Sequence, residues 1–196
     1  MKRFPQYKII IGKPLAVERK NAHDPNVLRG WFEKYHKVVA DYGILPGDIS
    51  NVDETGFRVG VGRRHKVIGK DQSKKIYMPD ADNRQHVTVV ECVQADGSTI
   101  PPMVIIPGKQ HLERMFPEGL LNNVLMAVSD TGYNNDDLSL AWLHYYDEHT
   151  KNRRQGFWRL LIFDGFGSHL LIDFIQYCWD NHIIPLVFPP HATHLM

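Results

Sequence analysis

Two stretches decide the fold of this chain: Ile49-Ser-Asn-Val-Asp-Glu-Thr-Gly-Phe57 and Leu160-Leu-Ile-Phe-Asp-Gly-Phe-Gly-Ser-His169. In each, an apolar or β-prone run ends on an aspartate, Asp53 or Asp164, and a glycine follows within three residues. The pattern predicts a buried strand that carries a carboxylate at its end, where the chain turns out toward solvent. Two such carboxylates, although distant in sequence, can converge in one sheet and hold a divalent metal ion.

The remaining pattern predicts a mixed α/β architecture. A helix is expected after Asp24-Pro25, ending at Gly43, because proline favours a first turn and glycine a last one. Further strands are predicted at Ile49–Asp53, Lys66–Ile68, His86–Gln94, Thr99–Ile106, Val124–Val128, Trp158–Phe163 and Ile183–Phe188. Further helices are predicted after a cap at Asn134 or Asn135, and after Ser168.

The order of these elements indicates the fold class. Hairpin-linked strands come first, with a turn at Ala95–Ser98, and strands alternate with helices afterwards. This order predicts an antiparallel meander followed by parallel strands in one mixed sheet, flanked by helices. A ribonuclease-H-like fold has the same order.

Composition sets limits on function. The chain has 196 residues, 43% of them hydrophobic and 23% charged, as expected for one globular core. We find neither a signal peptide nor an apolar run of the roughly 18 residues that a membrane span needs. The net charge of +1 lacks the basic excess of many nucleic-acid-binding proteins, so either no nucleic acid is bound or the basic part lies elsewhere. Cys92 and Cys178 are interpreted as buried reduced thiols, with a disulfide as the alternative.

Other patterns are weaker candidates for chemistry. Asp130 is a further strand-end acid and a weaker candidate for a metal ligand, because a residue in the turn before a helix is the favoured interpretation. Gly60-Val-Gly62 lacks the third glycine of a dinucleotide-binding loop, because His65 stands in its place. His191 and His194 follow two prolines without partner ligands at zinc spacing, which favours a loop.

The chain resembles pogo-type transposases of the mariner-like DDE/D endonuclease superfamily. The resemblance covers roughly residues 24–196 and is carried by five ordered motifs: Asn51-Val-Asp-Glu-Thr-Gly-Phe57, Pro101-Pro-Met-Val-Ile-Ile-Pro-Gly-Lys109, Ser129-Asp-Thr-Gly-Tyr133, Asp164-Gly-Phe-Gly-Ser-His169 and Pro189-Pro-His-Ala-Thr-His-Leu195. It implies a ribonuclease-H-like fold, a Mg²⁺- or Mn²⁺-dependent endonuclease and strand-transfer reaction with two metal ions in the complete enzyme, and a nuclear location. It also implies binding to transposon-end DNA, and self-association is a further expectation.

The resemblance assigns roles to residues. Asp53 and Asp164 correspond to the first two catalytic, metal-binding acids, while Glu54 should point to the opposite side of its strand. Arg63, Arg64, Lys66 and Lys109 are the candidates for DNA contacts.

The resemblance also implies boundaries and a missing ligand. The third acid is expected about four residues beyond Met196. Residues 1–22 resemble the end of a centromere-protein-B-type helix-turn-helix domain or a linker, and 23–196 a catalytic domain without its C-terminal part. We therefore expect weak or no cleavage by this chain; the alternative is a non-catalytic nucleic-acid-binding or protein-interaction module.

Overall fold

The computed structural model describes residues 25–59, 85–109, 124–164 and 172–189. These ranges contain a six-stranded sheet and three α-helices, and a short 3-10 turn at Pro46–Asp48 leads into the first strand. The helices are α1 (Pro25–Tyr42), α2 (Asp136–Thr150) and α3 (Ile172–Asp180). The strands are β1 (Ile49–Val59), β2 (Gln85–Gln94), β3 (Met103–Pro107), β4 (Leu125–Ser129), β5 (Arg159–Phe163) and β6 (Ile183–Val187).

The sheet is mixed, as the sequence predicts. Its strand order is β4-β3-β2-β1-β5-β6. β1 with β2 and β2 with β3 are antiparallel, whereas β3 with β4, β1 with β5 and β5 with β6 are parallel. Every strand except β2 therefore ends at the same edge of the sheet, which we call the carboxyl rim.

Helices cover both faces of the sheet. On one face, Val52 and Phe163 belong to a buried cluster with Trp142 of α2 and Phe174 of α3. On the other face, a second cluster joins Leu160, Ile162, Ile184 and Leu186 to Trp31 of α1. The Trp31 indole also donates a hydrogen bond of 2.8 Å to the carbonyl oxygen of Val187, which fixes α1 against the end of β6.

The first strand is longer than the sequence suggests. We predict a strand that ends at Asp53, yet β1 continues to Val59 because β2 pairs with it from Ser50↔Gln94 to Val59↔Gln85. Gly56 does not make a turn: it lies beside the His86 ring, where a Cβ would come within 2.7 Å of Cε1. Asp53 therefore lies within its strand and not at the end, whereas Asp164 directly follows β5 as predicted.

The other elements follow the predictions with smaller differences. Pro101 and Pro102 interrupt the predicted strand Thr99–Ile106, so Thr99 forms an isolated bridge and β3 begins at Met103. Of the two cap candidates, Asn135 caps α2 by accepting a hydrogen bond from the Leu138 amide. The predicted strand Lys66–Ile68, the cap Ser168 and residues 1–22 lie outside the described residues.

One ion pair is buried between β5 and α2, and the sequence analysis does not predict it. The Arg159 side chain is 2% exposed and donates to a carboxylate oxygen of Asp147, to Thr150 Oγ1 and to the carbonyl oxygen of Asn181. The Tyr177 hydroxyl donates to the second carboxylate oxygen of Asp147. The pair thus ties the start of β5 to α2 and to the turn before β6.

Removing Asp147 should cost far more than removing an exposed partner. Asp147→Ala leaves the Arg159 guanidinium buried and unpaired, so we expect the free energy of unfolding to fall by about 3–5 kcal/mol. Asp41→Ala is the control, because Asp41 pairs with Lys37 on the surface, where the side chains are 52% and 75% exposed. Urea unfolding measures the free energy of unfolding of both variants. Equal losses in the two variants would show that the buried ion pair contributes no more to stability than the exposed one.

Both cysteines are free and buried, which confirms the prediction. Burial raises the pKa of Cys92 and of Cys178 to about 12, so at pH 8 both are protonated and shielded. We expect a colorimetric disulfide reagent to modify neither thiol in the folded chain and both after unfolding in urea. Rapid modification of the folded chain at pH 8 would contradict the burial.

The same burial predicts a pH dependence of stability. Because the pKa values of the two thiols in the folded chain lie above the unfolded value, the free energy of unfolding should fall as the pH rises from about 8.5 toward 12.

Candidate metal centre

The site is positioned by the parallel pairing of β1 with β5. The pairing runs from Ile49↔Leu160 to Val52↔Phe163, and the next residues on the two segments are Asp53 and Asp164. Adjacent strands lie roughly 5 Å apart. The two predicted carboxylates therefore lie on neighbouring segments at the centre of the sheet.

Because side chains alternate between the two faces of a strand, the two carboxylates are expected on the same face of the sheet. Val52 and Phe163 are paired and share one buried cluster, so the residue that follows each of them belongs to the opposite face. Asp53 is exposed and Asp164 partly exposed. One carboxylate oxygen of Asp53 accepts a hydrogen bond of 2.8 Å from the Glu54 amide, which leaves the second oxygen for a ligand.

Glu54 lies on the α2 side of the sheet, as alternation predicts. Asn134 donates a hydrogen bond of 2.6 Å from Nδ2 to a Glu54 carboxylate oxygen and bonds at 3.0 Å to Ser139 Oγ. Glu54 is thereby engaged at the start of α2. The sequence carries no signal for this contact, because 80 residues separate the two side chains.

A cleft borders the site on the α2 side of the sheet. Asp53, Glu54, Asp164 and Asn134 lie along it, and its apolar walls come from Val52, Val90, Trp142, Phe163 and Phe174.

The carboxylate oxygens of Asp53 and Asp164 meet part of what a hard divalent cation requires. Mg²⁺ and Mn²⁺ take carboxylate oxygens, and Asp53 and Asp164 supply such oxygens from adjacent strands. Within the four described ranges, no group of three or more His, Cys, Asp or Glu side chains is close enough together to hold a metal ion. Among the described residues, Asp53 and Asp164 are the candidates for such ligands.

The structure does not bring the remaining candidates to this pair. Asp130 directly follows β4 at the carboxyl rim and is exposed, but β2 and β3 separate β4 from β1, a distance of about 14 Å. Lys109 is exposed beyond the end of β3. The other basic candidates and the two late histidines, Arg63, Arg64, Lys66, His191 and His194, lie outside the described residues.

This geometry defines a class of protein. A sheet of this order, with two aspartates on its adjacent central strands at the carboxyl rim, is the arrangement of a ribonuclease-H-like nuclease domain. Solved structures of Mos1 transposase share the fold. The chain matches the paired-end complex with left transposon end (TM-score 0.59, 10% identity, 98% of this chain, 50% of that chain). It also matches the strand transfer complex with a TM-score of 0.60 and 11% identity, over 98% of this chain and 49% of that chain. The paired-end complex with Mn matches with a TM-score of 0.59 and 11% identity, over 98% of this chain and 50% of that chain.

The family model described as "DDE superfamily endonuclease" matches residues 83–196, more than half of the chain. The chain belongs to this family. The resemblance to mariner-like transposases and the ribonuclease-H-like fold are thereby confirmed.

Two curated relatives share part of the sequence. The "MFS-type transporter clz9" of Cochliobolus lunatus is 32% identical over 169 residues, which cover 86% of this chain and 18% of that protein. The "Chaetoglobosin A biosynthesis cluster protein C" of Chaetomium globosum is 34% identical over 61 residues, 31% of this chain and 15% of that protein. The chain thus matches less than a fifth of each relative. Among the described helices, none has both the length and the apolar character to cross a membrane.

Proposed function

We propose that this chain is the metal-binding core of a transposase-derived DNA endonuclease, in which Asp53 and Asp164 hold Mg²⁺ or Mn²⁺. The observation that carries the proposal is the β1–β5 register, which makes these two aspartates neighbours. Family membership supplies the reaction class, hydrolysis of phosphodiesters and strand transfer.

The contribution of the protein is rigid positioning. Asp53 and Asp164 would hold the divalent metal, and the chemistry it would supply there is activation of a water and relief of charge on the leaving oxygen. The chain itself holds the carboxylates: β1 is fixed between β2 and β5, and the Glu54 amide orients Asp53. Such positioning matters because small displacements of a reacting group lower the rate strongly.

DNA is the partner that we propose, with transposon ends as the specific substrate and the nucleus as the location. The Mos1 structures with the same fold include complexes with transposon ends, which supports DNA. Arg63, Arg64, Lys66 and Lys109 are proposed to contact phosphates. Self-association on the DNA remains a further proposal.

Metal binding is the first prediction. We expect the chain to bind Mn²⁺, observed by electron paramagnetic resonance, and Asp53→Asn and Asp164→Asn each to weaken binding at least about tenfold, because each removes a charged ligand. Asp130→Asn is the matched control, since Asp130 is an exposed aspartate on the same rim but remote from the pair. Equal affinity in all four proteins would contradict the proposed site.

Cleavage is the second prediction. The two described carboxylates are a partial ligand set, so we expect this polypeptide to nick transposon-end DNA weakly or not at all in Mn²⁺. Clean nicking that Asp53→Asn abolishes would disprove the expected inactivity and support the assigned carboxylate. Nicking that Asp53→Asn leaves unchanged would contradict the assignment itself.

A non-catalytic binding module is the second candidate function. It is favoured by the finding that the described ranges contain no group of three or more metal-ligating side chains. DNA binding that survives the Asp53→Ala and Asp164→Ala double substitution, with affinity falling steeply as salt rises, would support this module. Binding that is lost in the double variant favours the endonuclease site.

A further inference from the structure

A second surface at the carboxyl rim is not used by the metal pair. A groove lies beneath the part of the β1–β2 hairpin that extends past Phe163, the last residue of β5. We call it the rim groove. Its lining residues are Arg58, Gln85, His86, Pro107, Gly108, Asp130, Thr131 and Tyr133.

The rim groove presents an aromatic ring to solvent. Tyr133 is 52% exposed, and its ring stacks on the His86 ring with centroids 3.8 Å apart and planes 15° from parallel. One face of Tyr133 is thus covered by His86, so the exposed part is the other face and the edge. An exposed aromatic face supported from behind is the arrangement with which proteins stack single nucleobases.

The turn that carries Tyr133 is fixed by its own motif. Ser129 Oγ donates to the carbonyl oxygen of Tyr133 at 2.7 Å, and Thr88 Oγ1 donates to that of Gly132 at 2.8 Å. Gly132 has φ +78°, and a Cβ there would come within 1.8 Å of the His86 carbonyl oxygen. The stretch Ser129-Asp-Thr-Gly-Tyr133 therefore holds the tyrosine in one place, which lowers the entropy lost on stacking.

Charges in the rim groove suit a phosphate on one side. Arg58 lines the groove and is exposed, and Lys109 directly follows the lining residue Gly108. Asp130 contributes a negative charge on the β4 side. A phosphate would accordingly sit toward Arg58, with its base toward Tyr133.

The β1–β2 hairpin separates the rim groove from the metal pair. Arg58 is five residues beyond Asp53 on the same strand, about 17 Å away, and alternation gives it the opposite face. A base inside a duplex has both faces stacked, so only an unpaired base can use this ring.

We propose that the rim groove binds single-stranded DNA, with an unpaired base stacked on Tyr133 and an adjacent phosphate held by Arg58. The proposal rests on the proposed function, since it assigns the groove to a single strand at the nuclease site. It also gives the Ser129–Tyr133 motif a role that the metal site does not supply.

The test uses fluorescence anisotropy with a single-stranded oligothymidine of about ten nucleotides, in EDTA so that no divalent metal contributes. Tyr133→Ala should weaken binding about tenfold, whereas Tyr133→Phe should retain most of the affinity because the ring remains. Arg58→Gln should weaken binding and lower the slope of log K against log salt by about one. A duplex of the same length should be insensitive to Tyr133→Ala.

Controls separate this proposal from the metal site. Thermal unfolding checks that Tyr133→Ala is folded. Wild-type affinity in Tyr133→Ala, or no binding by the unaltered chain, overturns the rim groove even if Mn²⁺ binding depends on Asp53. If Tyr133→Ala no longer binds the oligothymidine but the unaltered chain binds no Mn²⁺, the result supports the rim groove and contradicts the metal centre. Stronger binding of an oligouridine than of the oligothymidine would contradict DNA as the occupant.

Discussion

The parallel pairing of β1 with β5 is the constraint on which the rest of the structure depends. It lies at the centre of the sheet, where α2 and α3 cover one face and α1 the other. Burial on both faces fixes the register, because a slip by one residue would move every side chain to the wrong face. Since the pairing ends at Val52↔Phe163, the register of the two strands brings the two aspartates that follow next to each other.

The strand directions place the functional candidates on one edge. Five of the six described strands run toward the carboxyl rim, so residues that are far apart in sequence lie along it. The long β1–β2 hairpin continues beyond the rim and divides it. Asp53 and Asp164 lie on one side, while Arg58 and Tyr133 lie on the other.

The sequence predicts the parts of the fold that depend on local pattern. The helix from Pro25, the strands of the meander and the buried strand before Asp164 all follow from periodicity and turn residues. The extent of β1 does not, because Gly56 resembles a turn signal until β2 is seen beside it and the His86 ring is found against it. Of the candidate site, the sequence predicted two neighbouring aspartates, but Asp53 lies within β1 and its place beside Asp164 comes from the β1–β5 register. The Asn134–Glu54 bond and the Arg159–Asp147 pair were not predicted, since both arise from long-range packing that no spacing encodes.

The central claim is that the side chains at positions 53 and 164 share one cation. The most direct measurement is anomalous diffraction from a crystal of this chain soaked in Mn²⁺. The account predicts an anomalous peak within about 2.3 Å of a carboxylate oxygen from each aspartate, the distance at which such ions bind oxygen. A peak bound elsewhere, or carboxylates that point to opposite faces of the sheet, would contradict it.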